Sequence, residues 1–169
     1  MKLNFHPHQE MVDFFLLLKI SGSGDELQGI KRGIIEMSDL IAINKCDGDN
    51  VKDSIKAKNE FKLALQLFPK KKSNWKPQVL TCSSITGEGL AEIWECITNY
   101  VNLTKKNNYF YENRINQNKS WLLQIIDYSL RKSFFNRKSI KIKLNNLIKK
   151  IEEQKISIFE ASRKILSEI

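Results

Sequence analysis

Over the first hundred residues, short unbroken apolar runs alternate with apolar positions at helical spacing. The run from Met11 to Lys19, rich in Phe and Leu and closed by Ser21-Gly22-Ser23-Gly24, predicts a strand ending in a flexible loop. Leu27, Ile30, Ile34 and Met37 recur at helical spacing and lead into Leu40-Ile41-Ala42-Ile43, an apolar run bounded by polar residues. Such a run predicts a parallel strand buried on both faces. Ile55, Phe61, Leu65 and Phe68 then mark an amphipathic helix from Val51, ended by Pro69 and Lys70-Lys71-Lys72. Trp75 and Pro77 lead into a third strand, Gln78-Val79-Leu80-Thr81, and Leu90, Ile93, Trp94 and Ile97 mark a further helix. Strand, loop, helix, strand is a right-handed crossover unit, so residues 11–103 read as α/β with a mostly parallel sheet.

Beyond Asn102 the alternation stops. Trp121, Leu122, Ile125, Ile126 and Leu130, then Leu144, Leu147, Ile148 and Ile151, are spaced for helices, and no strand pattern returns. Ser157-Ile-Phe-Glu160 has the form of a capping box, in which Ser157 accepts from the Glu160 N–H and Glu160 reaches back. It opens a last helix carrying Phe159, Ile165 and Leu166. The expected organisation is an α/β domain over residues 1–103 and an all-helical extension over 104–169. Such helices suit either a cap on the sheet or a pairing surface for a second subunit.

Composition narrows the function classes. With 41% hydrophobic and 28% charged residues in 169, the chain reads as a soluble globular protein with one modest core. Phe14 to Leu18 is too short to span a bilayer and lacks the flanks of a secretory signal, which suggests a cytoplasmic address. Cys46, Cys82 and Cys96 are odd in number and form no Cys-x-x-Cys pair, so neither a disulfide framework nor a zinc site is expected. His6 and His8 read as solvated rather than as metal ligands. The net charge of +9 is concentrated: residues 1–103 hold 13 basic and 13 acidic residues, and residues 104–169 hold 15 and 6. Without interleaved aromatics this excess reads as solvated helix faces, not as a nucleic-acid platform.

The chemistry lies at the ends of the second and third strands. Asp39-Leu-Ile-Ala-Ile-Asn44-Lys45-Cys46-Asp47 is an apolar strand ending in Asn-Lys-x-Asp, the pattern by which GTPases recognise guanine. The Asp47 carboxylate can accept two hydrogen bonds from guanine N1 and N2, an edge that adenine lacks. Lys45 would lie across the purine face, and Asn44 would hold the loop through its side chain. The third strand runs into Cys82-Ser83-Ser84-Ile85-Thr86-Gly87-Glu88-Gly89, which resembles the Ser-Ala-Lys/Leu loop that closes over guanine in GTPases. Ser84 replaces the usual Ala there, but the expected contact is a backbone N–H to the guanine oxygen. The candidate base-binding set is Asn44, Lys45, Asp47, Ser83, Ser84 and Ile85, placed at the carboxyl ends of strands where such sheets bind ligands.

With these segments in place, the chain resembles the carboxyl-terminal portion of the methylmalonyl-CoA mutase-associated GTPases (MeaB/ArgK type, also labelled transport ATPases for lysine, arginine and ornithine). Gly24-Asp25-Glu26-Leu27-Gln28-Gly29-Ile30-Lys31 is similar to that family's own signature, followed by Asp39 to Asp47, Trp75 to Gly89 and the tail Phe159-Glu160-Ala161. The resemblance implies a P-loop GTPase core with a helical extension that forms a homodimer, and a cobalamin-dependent methylmalonyl-CoA mutase as partner. It also implies that GTP binding and hydrolysis, with Mg²⁺, gate and protect the mutase. Gly24, Asp25, Glu26 and Gln28 are then candidates for carrying the nucleotide signal to the partner. Asp25 serves equally as a cap for the following helix.

One half of the family pattern is missing from these residues. None of the seven glycines belongs to Gly-x-x-x-x-Gly-Lys-Ser/Thr, and Asp-x-x-Gly does not occur. A P-loop cradles phosphates with backbone N–H groups, and its Lys and Ser/Thr handle charge and Mg²⁺. The expectation is an amino-terminally truncated family member with no catalytic or metal-binding residue of its own and no hydrolysis alone. The alternative is a non-catalytic interaction or dimerisation module.

Overall fold

The computed structural model describes residues 11–20 and 32–168. Leu27, Ile30, His6, His8 and the Ser21–Gly24 loop lie outside them. The chain forms two compact units, residues 1–117 and 118–169.

Unit 1 is built on three parallel strands, β1 (Leu16–Ile20), β2 (Leu40–Asn44) and β3 (Gln78–Thr81), in the order β1-β2-β3. In register, Leu16 faces Leu40 and Ile20 faces Asn44, while Leu40 faces Gln78 and Ile43 faces Thr81. The strand Leu40 to Ile43 is fully buried, at 0% exposure for each residue. Helices α1 (Arg32–Met37) and α2 (Val51–Gln66) cover one face, where Ile35, Ala57 and Phe61 pack on Ile41, Ile43 and Val79. Helix α3 (Leu90–Lys106) covers the other, where Cys96 and Tyr100 meet Leu40 and Trp75. Burying the Phe61 ring alone contributes about 1.5–3 kcal/mol.

Several elements are shifted from the sequence reading. The first strand begins at Leu16 instead of Met11, because the Phe15 N–H is taken by the Asp39 carboxylate at 2.9 Å. Phe14 packs edge-on against Tyr100, with ring centroids 4.9 Å apart. In α2 the buried stripe is Ser54, Ala57 and Phe61, which turns Ile55 outward. In α3 it is Cys96, Tyr100 and Thr104, with Leu90 and Trp94 exposed. Small and polar residues fill these inward positions, so the apolar letters alone placed each stripe slightly off.

Helix α4 spans Tyr109–Asn136, and none of its residues is buried. Its first turns fasten the segment preceding β1: Arg114 binds both Asp13 carboxylate oxygens at 2.8 and 2.6 Å, and Gln117 Nε2 donates to the Val12 carbonyl at 2.9 Å. Unit 2 closes a small core between α5 (Lys138–Glu152) and α6 (Ile158–Leu166), formed by Ile140, Leu147, Ala161 and Ile165 with Phe134, Leu144, Ile151 and Ile156. Ser157 Oγ accepts from the Glu160 N–H at 3.1 Å, but the Glu160 carboxylate pairs with Lys164 at 2.6 Å. Only half of the expected capping box is therefore present. Phe159 and Leu166 face outward, as α6 buries its Ala161–Ile165 side.

Candidate functional site

The candidate residues on the two loops meet at the carboxyl edge of the sheet. Parallel pairing of β2 with β3 continues past the strands: the Cys82 N–H donates to the Ile43 carbonyl at 2.9 Å, and the Cys46 N–H donates to the Cys82 carbonyl at 3.0 Å. Asn44 clamps the loops together. Its Nδ2 donates to Ser84 Oγ at 3.2 Å and its Oδ1 accepts the Ser84 N–H at 3.1 Å. The Cys82 thiol also donates to Asn44 Oδ1, at 3.7 Å. The Ser84 N–H, expected to face the guanine oxygen, is thus turned to Asn44 in this structure.

Ser83 is the hub of the second loop. Its buried hydroxyl donates to Asp47 Oδ2 and accepts from the Ile85 and Thr86 N–H groups at 3.2 and 3.1 Å. Asp47 is thereby fixed by one oxygen, while Oδ1 has no protein partner among the described residues. A half-buried carboxylate held this way presents one open acceptor and one shared one, which suits a ligand edge carrying two adjacent donors. Lys45 and Ile85 are exposed and flank that edge in sequence.

Lys45 takes a left-handed backbone conformation, φ 62°, uncommon for a residue with a side chain and costing of order 1 kcal/mol. Asn50 stabilises it by donating from Nδ2 to the Lys45 carbonyl at 2.8 Å. Gly89 closes the other loop at φ +78°, where an added Cβ would stand 2.2 Å from the Thr81 carbonyl oxygen. Asn50 and Gly89 are supports that the motif letters did not single out. The signal for Gly89 was available in the Gly87-Glu88-Gly89 triplet, since closely spaced glycines mark backbone that side chains cannot follow.

Burial raises the Cys82 thiol above its ordinary range, with the neighbouring Cys46 adding to the effect. Cys82 is therefore a neutral donor to Asn44 at neutral pH, and all three cysteines are free thiols. No group of three or more metal-ligating side chains occurs among the described residues, and none of their helices is long and apolar enough to cross a membrane. Gly24, Asp25, Glu26 and Gln28 lie outside the described residues.

Comparison with known proteins bears on the same residues. The family described as "Methylmalonyl Co-A mutase-associated GTPase MeaB" matches residues 8–139. GTPase ArgK of Escherichia coli is 41% identical over 112 residues, 66% of this chain and 34% of that protein. The mitochondrial methylmalonic aciduria type A homolog of Mus musculus is 34% identical over 142 residues, 84% of this chain and 34% of its own length. A crystal structure titled LAO/AO transport system kinase superposes with a TM-score of 0.75 at 28% identity, covering 94% of this chain and 51% of that one. The chain thus spans between about a third and a half of these relatives. With an α/β core of P-loop GTPase type and its helical continuation matched together, the chain belongs to the MeaB family of methylmalonyl-CoA mutase-associated GTPases.

Proposed function

We propose that the loops after β2 and β3 recognise guanine, and that the chain is the base-recognising and pairing half of a GTPase that gates and protects a cobalamin-dependent methylmalonyl-CoA mutase. One observation carries the base assignment: Asp47 is oriented by the Ser83 hydroxyl through Oδ2 and keeps Oδ1 open. Guanine N1 and N2 hydrogens would take these two oxygens, with Lys45 over the ring and the Ser84 N–H shared between Asn44 and the guanine oxygen. GTP and GDP are the expected ligands. Mg²⁺ would enter with the phosphates, since no residue of the sequence supplies a P-loop. Alone, these 169 residues bind GDP weakly and do not hydrolyse GTP above background, because phosphoryl transfer depends on positioning and charge at oxygens they do not reach. Gly24, Asp25, Glu26 and Gln28 would relay the nucleotide state to the mutase. Three free thiols suit a cytoplasmic setting.

A second reading, a non-catalytic dimerisation module, is favoured by the helical extension. Trp121, Leu122, Ile125, Ile126 and Leu130 are all exposed on α4, an apolar stripe that pairing with a second copy would cover. Calorimetric titration tests the base assignment. GDP should bind, ADP should not, and Asp47→Asn should weaken GDP at least about a hundredfold, as expected for two lost charge-assisted bonds. Equal affinity for GDP and ADP would overturn it.

A further inference from the structure

We propose that Cys46 and Cys82 are a redox-responsive thiol pair: a peroxide joins their sulfurs in a reversible disulfide, and the link disarms the loop edge that holds Asn44 and Asp47. The consequence for ligand binding rests on the guanine reading above, whereas the pairing of the two thiols stands on its own observations. In a regular parallel ladder the Cys82 N–H would meet the Ile43 carbonyl, and the Cys82 carbonyl would take the N–H of Lys45. The first bond is present at 2.9 Å, but the second is made by Cys46, at 3.0 Å. The left-handed turn at Lys45, φ 62°, inserts one residue as a bulge does and seats Cys46 against Cys82. A backbone hydrogen bond between paired residues leaves their Cα atoms roughly 5.5 Å apart, a separation that disulfides favour.

Both cysteines line one open cleft of about 190 Å³ beside β3, together with Lys58 from α2, Glu88 from the second loop and Glu92 from α3. That volume admits a molecule the size of hydrogen peroxide. Both are free thiols, and burial first, then the neighbouring Cys46, opposes ionisation of Cys82. Exposure sets the order of events. Cys82 is 4% exposed and stays protonated, while Cys46 is half-buried, so Cys46 meets an oxidant first. Cys96, the remaining thiol, packs with Leu40 at the start of β2, which lies roughly 13 Å along the strand from Asn44. It has no part in the pair.

The chemistry balances with the peroxide as sole oxidant. The Cys46 sulfur attacks one peroxide oxygen, the O–O bond breaks, and a sulfenic acid forms with release of one water. The Cys82 sulfur then attacks the Cys46 sulfur, its proton leaves with the sulfenic hydroxyl as a second water, and the S–S bond closes. Two thiols lose two electrons in all, and the peroxide is reduced to two waters. A reducing dithiol reverses the bond by exchange, and reversible disulfides of this kind are the ones that reducing compartments tolerate. The effect falls on the two loops. Cys82 gives up its contact with Asn44 Oδ1, and Cys46 is drawn onto the end of β3 from its place between Lys45 and Asp47. That movement shifts the Asp47 carboxylate against the Ser83 hydroxyl that orients it.

The test treats the 169-residue chain with hydrogen peroxide and reads intact mass, a non-reducing peptide map, circular dichroism and GDP titration. Expected are the loss of two hydrogens, a link between the Cys46 and Cys82 peptides, and an unchanged helical spectrum. GDP affinity should fall at least about tenfold and return with dithiothreitol. Cys46→Ser should bind GDP as the reduced chain does, form no link and keep its affinity through the same treatment, whereas Cys96→Ala should behave as the unaltered chain. The peptide map of the unaltered chain decides the pairing even where a variant fails to fold. A link to Cys96 or between two chains, oxygen added at Cys46 without a link, loss of the helical spectrum, or a link that leaves GDP affinity unchanged overturns the proposal. A link between Cys46 and Cys82 in a chain whose reduced form binds no GDP supports the thiol pair and sinks the guanine reading instead.

Discussion

Lys71 Nζ lies 2.7 Å from Asp39 Oδ1, and the same ammonium donates to the Met37 and Ser38 carbonyls at 2.8 and 2.7 Å. Its three donors are thereby satisfied. Asp39 spends its other oxygen on the Phe15 N–H, and its carbonyl accepts the Trp75 indole N–H at 2.9 Å. With side chains only 15% and 6% exposed, this pair ties the entry to β1, the start of β2 and the segment before β3 into one joint.

Removing one partner leaves the other charge buried and alone. Lys71→Met should therefore destabilise unit 1 by about 3–5 kcal/mol, read from urea unfolding. Lys164→Ala, which breaks the solvent-exposed pair with Glu160, should leave the unfolding midpoint unmoved within error. Equal effects would mean that the Asp39 joint is not the closed network described.

Gly89→Ala should shift the second loop, because a Cβ there meets the Thr81 carbonyl at 2.2 Å in a left-handed backbone region. The expected result is a loss of about 1–3 kcal/mol in stability together with weaker GDP binding. Gly33→Ala, with nothing within 4 Å of its added Cβ and a helical position in α1, should be neutral or stabilise by up to about 1 kcal/mol. Thermal melts of the two variants compare them directly.

Ser83→Ala takes the donor from Asp47 and the acceptor from the Ile85 and Thr86 N–H groups. GDP affinity should fall roughly tenfold, about 1.4 kcal/mol, with the base preference over ADP retained because Asp47 itself remains. Titration of the variant with both nucleotides checks it, and an unchanged GDP affinity would remove Ser83 from the site.

Alkali should destabilise the protein. Burial raises Cys82, Cys96, Tyr100 and Tyr109 above their ordinary values, with the Asp39 charge a further cause for the last three. Below the ordinary thiol value of 9.0 their contribution is fully present. Above it the unfolded chain loses protons that the folded chain retains, so stability declines with rising pH. Circular dichroism between neutral pH and strongly alkaline solution should show this decline, and native alkylation should reach half-buried Cys46 before Cys82 or Cys96.

The sheet was legible in the sequence because its letters follow one rule. Leu40 to Ile43 is apolar throughout and is buried on both sides; Gln78 to Thr81 is a strand with the bounds its residues suggest. Lys71 was not legible, since three consecutive lysines read as solvent-facing and only the fold turns one of them inward. Helix faces were only partly legible: Cys96 and Thr104 are small enough to lie against the core, and the larger Trp94 points out. For the site, the motif letters located both loops, whereas the Asn44 clamp on Ser84 and the Asn50 support of Lys45 depend on contacts the letters do not encode.

β2 is the only strand of the described sheet hydrogen-bonded on both edges, and it is buried on both faces. Its amides can meet solvent only when unit 1 opens as a whole, which makes it the last segment to exchange hydrogen. Asn44 ends this strand, so the loop to Asp47 inherits the slowest-opening foundation in the unit. Agents that loosen the helices without breaching the sheet would leave that loop in register, and its loss would coincide with global collapse.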